Sequence, residues 1–328
     1  MVVPVEVAVA VRPRMVLILS ENWTMTSGRD MGTLVRWARE AEAEGFDAVM
    51  VSEHIVLGPD AGAAGLMANP RMYALPGNQD PATPWPSSLV LLSAIAAVTS
   101  TIRLVAGAVL APLRHPLLLA RELGTLDLLS GGRLVVLPSV SWSRDEYRAL
   151  GVPFECRGDI LDEQLAVWHR VYAGSPTSFH GKYFSFDDVH LEPAAFRPAG
   201  PTLWFGGQKL HRRLRERLVH YGAGWNPLGA PAPGELAALH AAMREAGRDP
   251  GELELIGGTR AIFPDATSVA DLDQAMAALP EQMAQGYTTF CLKPSQFTDD
   301  PNGVAAVCRR AVRLADEMGA DSRLDRRR

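Results

Sequence analysis

The feature that most constrains this chain is an alternation. About eight times, a short apolar run is followed by a longer stretch whose apolar positions recur at helical spacing. The apolar runs are Met15 to Leu19, Ala48 to His54, Ile102 to Leu110, Leu134 to Leu137, Thr202 to Phe205, Ala223 to Asn226, Leu253 to Gly257 and Thr288 to Leu292. Helices are expected over Asp30 to Gly45, Ser87 to Thr99, Pro116 to Leu129, Arg157 to Ala173, Lys209 to Tyr221, Gly234 to Ala246, Val269 to Ala284 and Gly303 to Met318. Strands separated by helices pair in parallel. At this length the expected fold is α/β, a closed (β/α)8 TIM barrel with insertion loops, ahead of a doubly wound open sheet. No G-x-G-x-x-G follows a strand, which weighs against a dinucleotide-binding sheet. Two pieces fall outside the alternation. Ile55 to Pro86 is rich in Gly, Pro, Ala and Asn and reads as a functional loop or lid. Ser178 to Leu191 alternates around Gly181-Lys182 and reads as a surface hairpin.

Composition narrows the partners. The chain has 328 residues, 47% hydrophobic and 21% charged, with a net charge of -5, and so reads as globular. Cations cluster only in one helix and at the extreme tail, so no nucleic-acid partner is expected. Three cysteines, Cys156, Cys291 and Cys308, without C-x-x-C spacing, fit a reduced cytoplasmic protein and give no metal framework. No apolar run is long enough to span a bilayer, so no membrane partner is expected. In MVVPVEVAVAVRPR the arginines follow the apolar run, unlike a signal peptide. Residues 1–14 are read as an extension, 15–320 as the barrel and 321–328 as a flexible basic tail; a translation start at Met15 is equally compatible with this division.

Ala48 to His54, AVMVSEH, ends in Ser52, Glu53 and His54. The C-terminal ends of parallel strands are where such folds place their chemistry. Imidazole ionises near neutrality, which suits His54 to proton transfer, although a histidine at a strand end can equally serve as a hydrogen-bonding group. Glu53 is read as an orienter of His54 or as a cap on a backbone amide. A second candidate is Phe205-Gly206-Gly207-Gln208, where a strand ends and a helix is expected to open. Glycines permit close backbone approach, and free amides at a helix N-terminus attract phosphate. Lys209 and Arg212 add positive charge. A tight turn followed by a solvated cationic face is the plainer reading.

Several longer stretches carry a family resemblance. These are TIRLVAGAVLAPLRHPLLLARELGTLDLLSGGR, then LSGGRLVVL followed by SWSRDEYRALGVPFECRGDILDEQLAVWHRVY, with SFHGKYF, PTLWFGGQ and YGAGW. Together with the Ser52-Glu53-His54 strand end, they resemble the bacterial luciferase-like family of flavin- and deazaflavin-dependent oxidoreductases. PLRHP, LDLLSGGR and the RG…DE helix look like the actinobacterial branch that uses coenzyme F420. The resemblance implies hydride transfer between F420 and a small organic substrate. Its alternative is reduced FMN with oxygen, and a second alternative is a non-catalytic barrel, disfavoured by the intact Gly206-Gly207. The resemblance also implies a homodimer and a catalytic His54. It places a bulge with a non-proline cis peptide near Ala108-Val109, so Gly107, Ala108 and Val109 become candidate ring contacts. Where the family has a glycine-rich turn, this chain has Pro138-Ser139-Val140-Ser141-Trp142, which leaves Ser139 and Ser141 as candidate contacts. Trp142 lies where sugar-phosphate dehydrogenases of the family carry a carboxylate, which counts against that substrate class. Glu146, nearby, is read as an exposed helix residue. Gly206, Gly207, Gln208 and Arg212 would hold the cofactor phosphate. Asn226, Arg260 and Lys293 are weaker candidates at strand ends. Met67, Met72, Tyr73 and Trp85 would either form an apolar lid or pack the loop onto the barrel.

Overall fold

The structure, a computed structural model, describes residues 12–324. The expected extension falls mostly on residues 1–11 and the end of the basic tail on 325–328, outside the described residues. Eight parallel strands close a barrel: β1 (Arg14–Ile18), β2 (Ala48–Val51), β3 (Arg103–Leu110), β4 (Leu134–Ser139), β7 (Thr202–Gly206), β8 (Gly222–Asn226), β9 (Glu254–Gly258) and β10 (Thr289–Leu292). The remaining two, β5 (Thr177–His180) and β6 (Ser185–Val189), form the expected antiparallel hairpin. β1 pairs with both β2 and β10, which closes the ring.

The strands form because their side chains are buried on both faces. Successive residues point to opposite sides of a strand. Val16, Ile18, Ala48, Met50, Val105, Val135, Leu137, Trp204, Ile256 and Cys291 accordingly fill the lumen. Leu17, Val49, Val51, Leu104 and Ala106 face outward and join the helices in a second core. Trp204 is accommodated because its neighbour across the β7–β8 pair is glycine. A Cβ at Gly224 would lie 2.4 Å from the Trp204 ring. Cys291, buried in the lumen, has its thiol pushed up to about 12 by desolvation, so it stays protonated and inert.

Helix ends follow local chemistry. Asp30 caps the helix Met31–Ala43 by accepting from the Thr33 amide at 3.0 Å, and Gly45 takes the left-handed conformation just beyond its end. Pro116–Leu129 and Arg157–Ala173 have the bounds expected of them. Val269 to Ala284 is not one helix but two, Leu272–Met276 and Leu279–Ala284. Pro280 sits in the first turn of the second, where its missing N–H costs nothing; inside a continuous helix it would break the ladder. The cationic helix starts at Arg212 instead of Lys209. A six-residue helix, Arg144–Ala149, lies outside the eight helices of the expected alternation and carries Glu146, which was read as a helix residue. Among the described residues no helix is long and apolar enough to cross a membrane.

The Ile55 to Pro86 insertion is ordered by bonds to distant loops. Asp60 and Asp145 cap each other's turns. The Asp60 amide donates to Asp145 at 2.9 Å, and the Asp145 amide donates to Asp60 at 3.2 Å. Arg71 is bonded to Asp299 at 3.0 and 2.5 Å, and the Asn69 amide group donates to the carbonyls of Asp265 and Ser268. The insertion is therefore held across the C-terminal mouth of the barrel, the edge where (β/α)8 proteins build their sites.

Candidate active site

β2 ends at Val51, so Ser52, Glu53 and His54 emerge from the strand onto the mouth. The two ionisable residues then diverge. His54 is nearly buried, its side chain 9% exposed, and its Nδ1 lies 3.3 Å from Oε2 of Glu146. Its ring meets Trp85 and Trp142 edge-on, with centroids at 5.0 and 5.5 Å. Glu146 is fully buried, which corrects its reading as an exposed helix residue. It sits at the third position of the helix Arg144–Ala149, whose cap Ser143 accepts from the Glu146 amide at 3.2 Å. Its carboxylate also accepts from the Ile55 amide at 2.6 Å and from Ser141 Oγ at 2.9 Å. Tyr147 Oη donates to the Val140 carbonyl at 2.6 Å and anchors the same turn; burial holds this phenol above its usual range. Held by this many donors, the buried carboxyl group fixes the imidazole by its Nδ1.

Glu53 does not orient His54. It is 4% exposed and accepts from Arg114 Nη1 at 2.7 Å, Ser88 Oγ at 2.7 Å and the Leu110 amide at 3.2 Å. Both oxygens are committed, and they tie together the end of β3, the start of the helix Ser88–Ala96 and the turn after β3. Its position beside His54 in sequence reflects a structural clamp.

The second wall of the mouth is β3. The Gly107-Ala108 peptide is cis, one position before the pair expected from the resemblance, and the pairing with β4 slips between Gly107 and Val109. Ala108 is thereby set against the lumen cluster. A Cβ at Gly107 would lie 3.2 Å from Met50 Sδ, a contact that would require the Met50 side chain to shift by a few tenths of an ångström. Val109 is fully buried in the outer core, which leaves only its backbone near the mouth. Ser139 ends β4 and its Oγ accepts from the Ser141 amide at 3.2 Å. Ser141 is committed to Glu146.

The glycine turn differs from the expected helix start. Gly206 ends β7, and the Gly207 amide is bonded to the Asn226 carbonyl at 3.0 Å. Glu235 takes the Leu210 amide at 2.9 Å, and His211 caps the helix by accepting from the Leu214 amide at 3.3 Å. The amides of Gln208 and Lys209 have no partner among the described residues, and both residues are exposed. Arg212 is exposed and paired with Glu216 at 3.1 Å. The unmade amide bonds thus lie at Gln208 and Lys209, in the Gln208–Arg212 bend, displaced from Gly207. The bend fits a phosphate: it is open, carries unmade amide bonds and is flanked by Lys209 and Arg212. Near the histidine, the buried Trp85 Nε1 is also without a partner among the described residues, a donor suited to a polar edge of a bound ring.

Of the weaker candidates, Arg260 is exposed, and Asn226 spends its side chain on the Leu228 amide at 3.0 Å. Lys293 is fully buried; its Nζ donates to the Met72 carbonyl at 2.9 Å and lies over the Tyr73 ring. Burial lowers its basicity, with Glu21 opposing the shift. A cavity of about 390 Å³ opens between the loop after β1, Lys293 and the insertion, lined among others by Trp23, Met67, Gln79 and Pro84. Pro84 on its wall is followed by Trp85, which packs on His54; neither Trp85 nor His54 lines the cavity itself. The Ser143-x-x-Glu146 spacing is a helix-start signature and was the one available sign that Glu146 belongs to an ordered turn.

A family model described as luciferase-like monooxygenase matches residues 14–299. An uncharacterized protein of Mycobacterium tuberculosis is 29% identical over 227 residues, 67% of this chain and 74% of that protein. Pyrimidine monooxygenase RutA of Escherichia coli is 31% identical over 178 residues, 51% of this chain and 48% of RutA. Among solved structures, an F420-dependent secondary alcohol dehydrogenase in complex with an F420-acetone adduct superposes with a TM-score of 0.69 at 16% identity. The match covers 93% of this chain and 99% of that one and establishes likeness of fold.

Proposed function

This chain belongs to the luciferase-like monooxygenase family of flavin- or F420-dependent enzymes, and on that premise we propose that it exchanges a hydride between coenzyme F420 and a small organic substrate, with His54 moving the proton. The observation that carries the reading is the His54–Glu146 pair: a nearly buried imidazole held through Nδ1 by a fully buried carboxylate. With Nδ1 committed, Nε2 is the nitrogen left to take or give a proton. The buried carboxyl partner keeps the ring oriented while the proton moves. A non-catalytic barrel would have no use for this arrangement.

Within this reading the cofactor is held by the chain as follows. The Gly107-Ala108 bulge and the end of β4 form the wall for a tricyclic ring. Trp85 Nε1 supplies a donor, and the Gln208–Arg212 bend takes the phosphate. The bound ring supplies the hydride chemistry that no side chain can perform. His54 moves the proton, Glu146 orients it and is itself held by Ser141, and the two tryptophans exclude water from the imidazole. The second reading, reduced FMN with oxygen, is supported by the 31% identity to a monooxygenase over half of this chain. The cationic bend with Lys209 and Arg212 favours the more anionic F420 tail.

Titration of the purified protein with F420 and with FMN, followed by fluorescence, tests the assignment. F420 is expected to bind with Kd well below ~100 μM, a weak-binding threshold, and more tightly than FMN. Absence of binding for both sinks the reading, and tighter FMN binding accompanied by oxygen uptake replaces it with the second. The same reading carries a cytoplasmic homodimer. Exposed Val90, Leu118 and Leu129 on two adjacent helices support the dimer, and light scattering at twice the chain mass is the expected result; a monomer mass would remove it.

A further inference from the structure

The helix Arg144–Ala149, which carries Glu146, has six residues and is not self-supporting. A helix this short makes too few internal bonds to repay its nucleation, and it persists where neighbours satisfy its first amides. Two residues do so here. Ser143 Oγ accepts from the Glu146 amide at 3.2 Å. Asp60, 85 positions away in the insertion, accepts from the Asp145 amide at 3.2 Å. The same Asp60 carboxylate takes the Ser143 hydroxyl, at 3.0 Å to each oxygen, and so fixes the cap residue as well. Ser143 is fully buried. The two segments are pressed together at this point: a Cβ at Gly58, just before the Asp60 turn, would lie 2.5 Å from the Asp145 side chain.

We propose that Asp60 is a positioning residue for the proton transfer: by capping this helix from the insertion it holds the Glu146 carboxyl group against His54 Nδ1, so that the seating of the insertion sets the orientation of the imidazole. This rests on the reading of His54 as the proton-moving group and adds to it a residue that never touches the histidine. The chain of contacts is short. Asp60 bonds Ser143, Ser143 bonds the Glu146 amide, and the Glu146 carboxyl group bonds His54 at 3.3 Å. Coupling through such a chain needs an element with two arrangements that both ends bias. The first turn of the helix is that element, formed when capped and frayed when not, and fraying moves the Glu146 backbone and its carboxyl group with it. The helix is secured separately at Tyr147, which is fully buried and bonds the Val140 carbonyl at 2.6 Å, so loss of the cap releases the first turn and leaves the segment in place. The insertion also has a second anchor. Arg71 is bonded to Asp299 at 3.0 and 2.5 Å, and Lys293 and Gln296 hold the carbonyls of Met72 and Arg71. That anchor fixes the loop alone, whereas Asp60 fixes the loop and the helix.

The test reads the imidazole itself, by NMR of the full chain with isotopically labelled histidine, where the ring nitrogens report the tautomer. The His54 signals are those lost in His54→Ala. In the unaltered protein one tautomer is expected to dominate, set by the bond to Glu146. Asp60→Ala should lower the tautomer ratio by about tenfold, the factor that one hydrogen bond of ordinary strength contributes. On any substrate that the unaltered protein turns over, it should lower kcat by about tenfold, the lower end for an orienting partner, with the cofactor Kd kept within about threefold. Asp60→Asn keeps an acceptor oxygen and the side-chain shape, and should restore both readings to within about threefold of the unaltered protein. Arg71→Ala loosens the insertion at its other anchor and should leave the tautomer ratio within about twofold, as expected of an independent site. Ser143→Ala cuts the same bond from the other side and carries the expectation of Asp60→Ala where that variant does not fold. An unmoved ratio in Asp60→Ala, an equal fall in Arg71→Ala, or no recovery in Asp60→Asn overturns the proposal and leaves Asp60 as an anchor of the insertion alone. The tautomer needs no turnover, so the two readings fail separately. A lowered ratio in a protein that binds neither cofactor removes the oxidoreductase assignment and keeps the positioning. Turnover with an unmoved ratio removes the positioning and keeps the assignment.

Discussion

His54→Ala is expected to lower kcat by about 10²- to 10⁴-fold, the range that a positioned general acid or base contributes, while leaving the Kd for the cofactor within about threefold. The separation follows from the placement of the imidazole. It bonds Glu146 and packs between two indoles, and it is not part of the Gly107-Ala108 wall or the Gln208–Arg212 bend. The loss is to be read from kcat on any substrate that the unaltered protein turns over, with cofactor binding measured on the same preparation. Turnover within about tenfold of the parent, below that range, refutes the role of His54. A parallel loss of cofactor binding makes the histidine a binding group.

Glu53→Leu is expected to act on stability. The substitution leaves the Arg114 guanidinium, the Ser88 hydroxyl and the Leu110 amide without their buried acceptor. Removing one partner of a buried ion pair costs about 3–5 kcal/mol, and the partial exposure of Arg114, 22%, places this case at about 3 kcal/mol. The urea midpoint should fall accordingly. The protein that remains folded should retain its turnover to within about threefold, a modest change for a site whose geometry is kept. A normal midpoint with abolished turnover would return Glu53 to the chemistry.

These two neighbours show how far the sequence could be read. The barrel was legible because parallel strands buried on both faces are continuous apolar runs, and because Pro116 and Gly131-Gly132 punctuate the chain around one helix. The mouth was legible in outline, since AVMVSEH ends where a parallel strand ends. The division of labour at Glu53-His54 was not. It depends on Glu146, 92 residues further along the chain, in a helix of six residues, too short for its period to register. The glycine turn failed for the same kind of reason. Gly206-Gly207 resembles an anion cradle locally, but Asn226 and Glu235, both remote, take up two of its amides and move the open positions to Gln208 and Lys209. Lys293 gives no local sign of burial, because the insertion that covers it is held by Asn69, Arg71 and Asp60 through bonds to other loops. Long-range partners decided Glu53, His54 and Lys293, whereas Asn226 and Arg212 are taken up by neighbours two and four residues away.

The central claim is that Glu146 acts on the reaction only through His54. A double-mutant cycle on kcat tests it most directly. Glu146→Gln in the unaltered protein is expected to lower kcat about 10- to 100-fold, a range typical for an orienting partner. The same substitution in the His54→Ala background is expected to change kcat by less than about twofold, since the group it orients is gone. Independent losses that multiply in the double variant would contradict the account and place Glu146 in the reaction on its own.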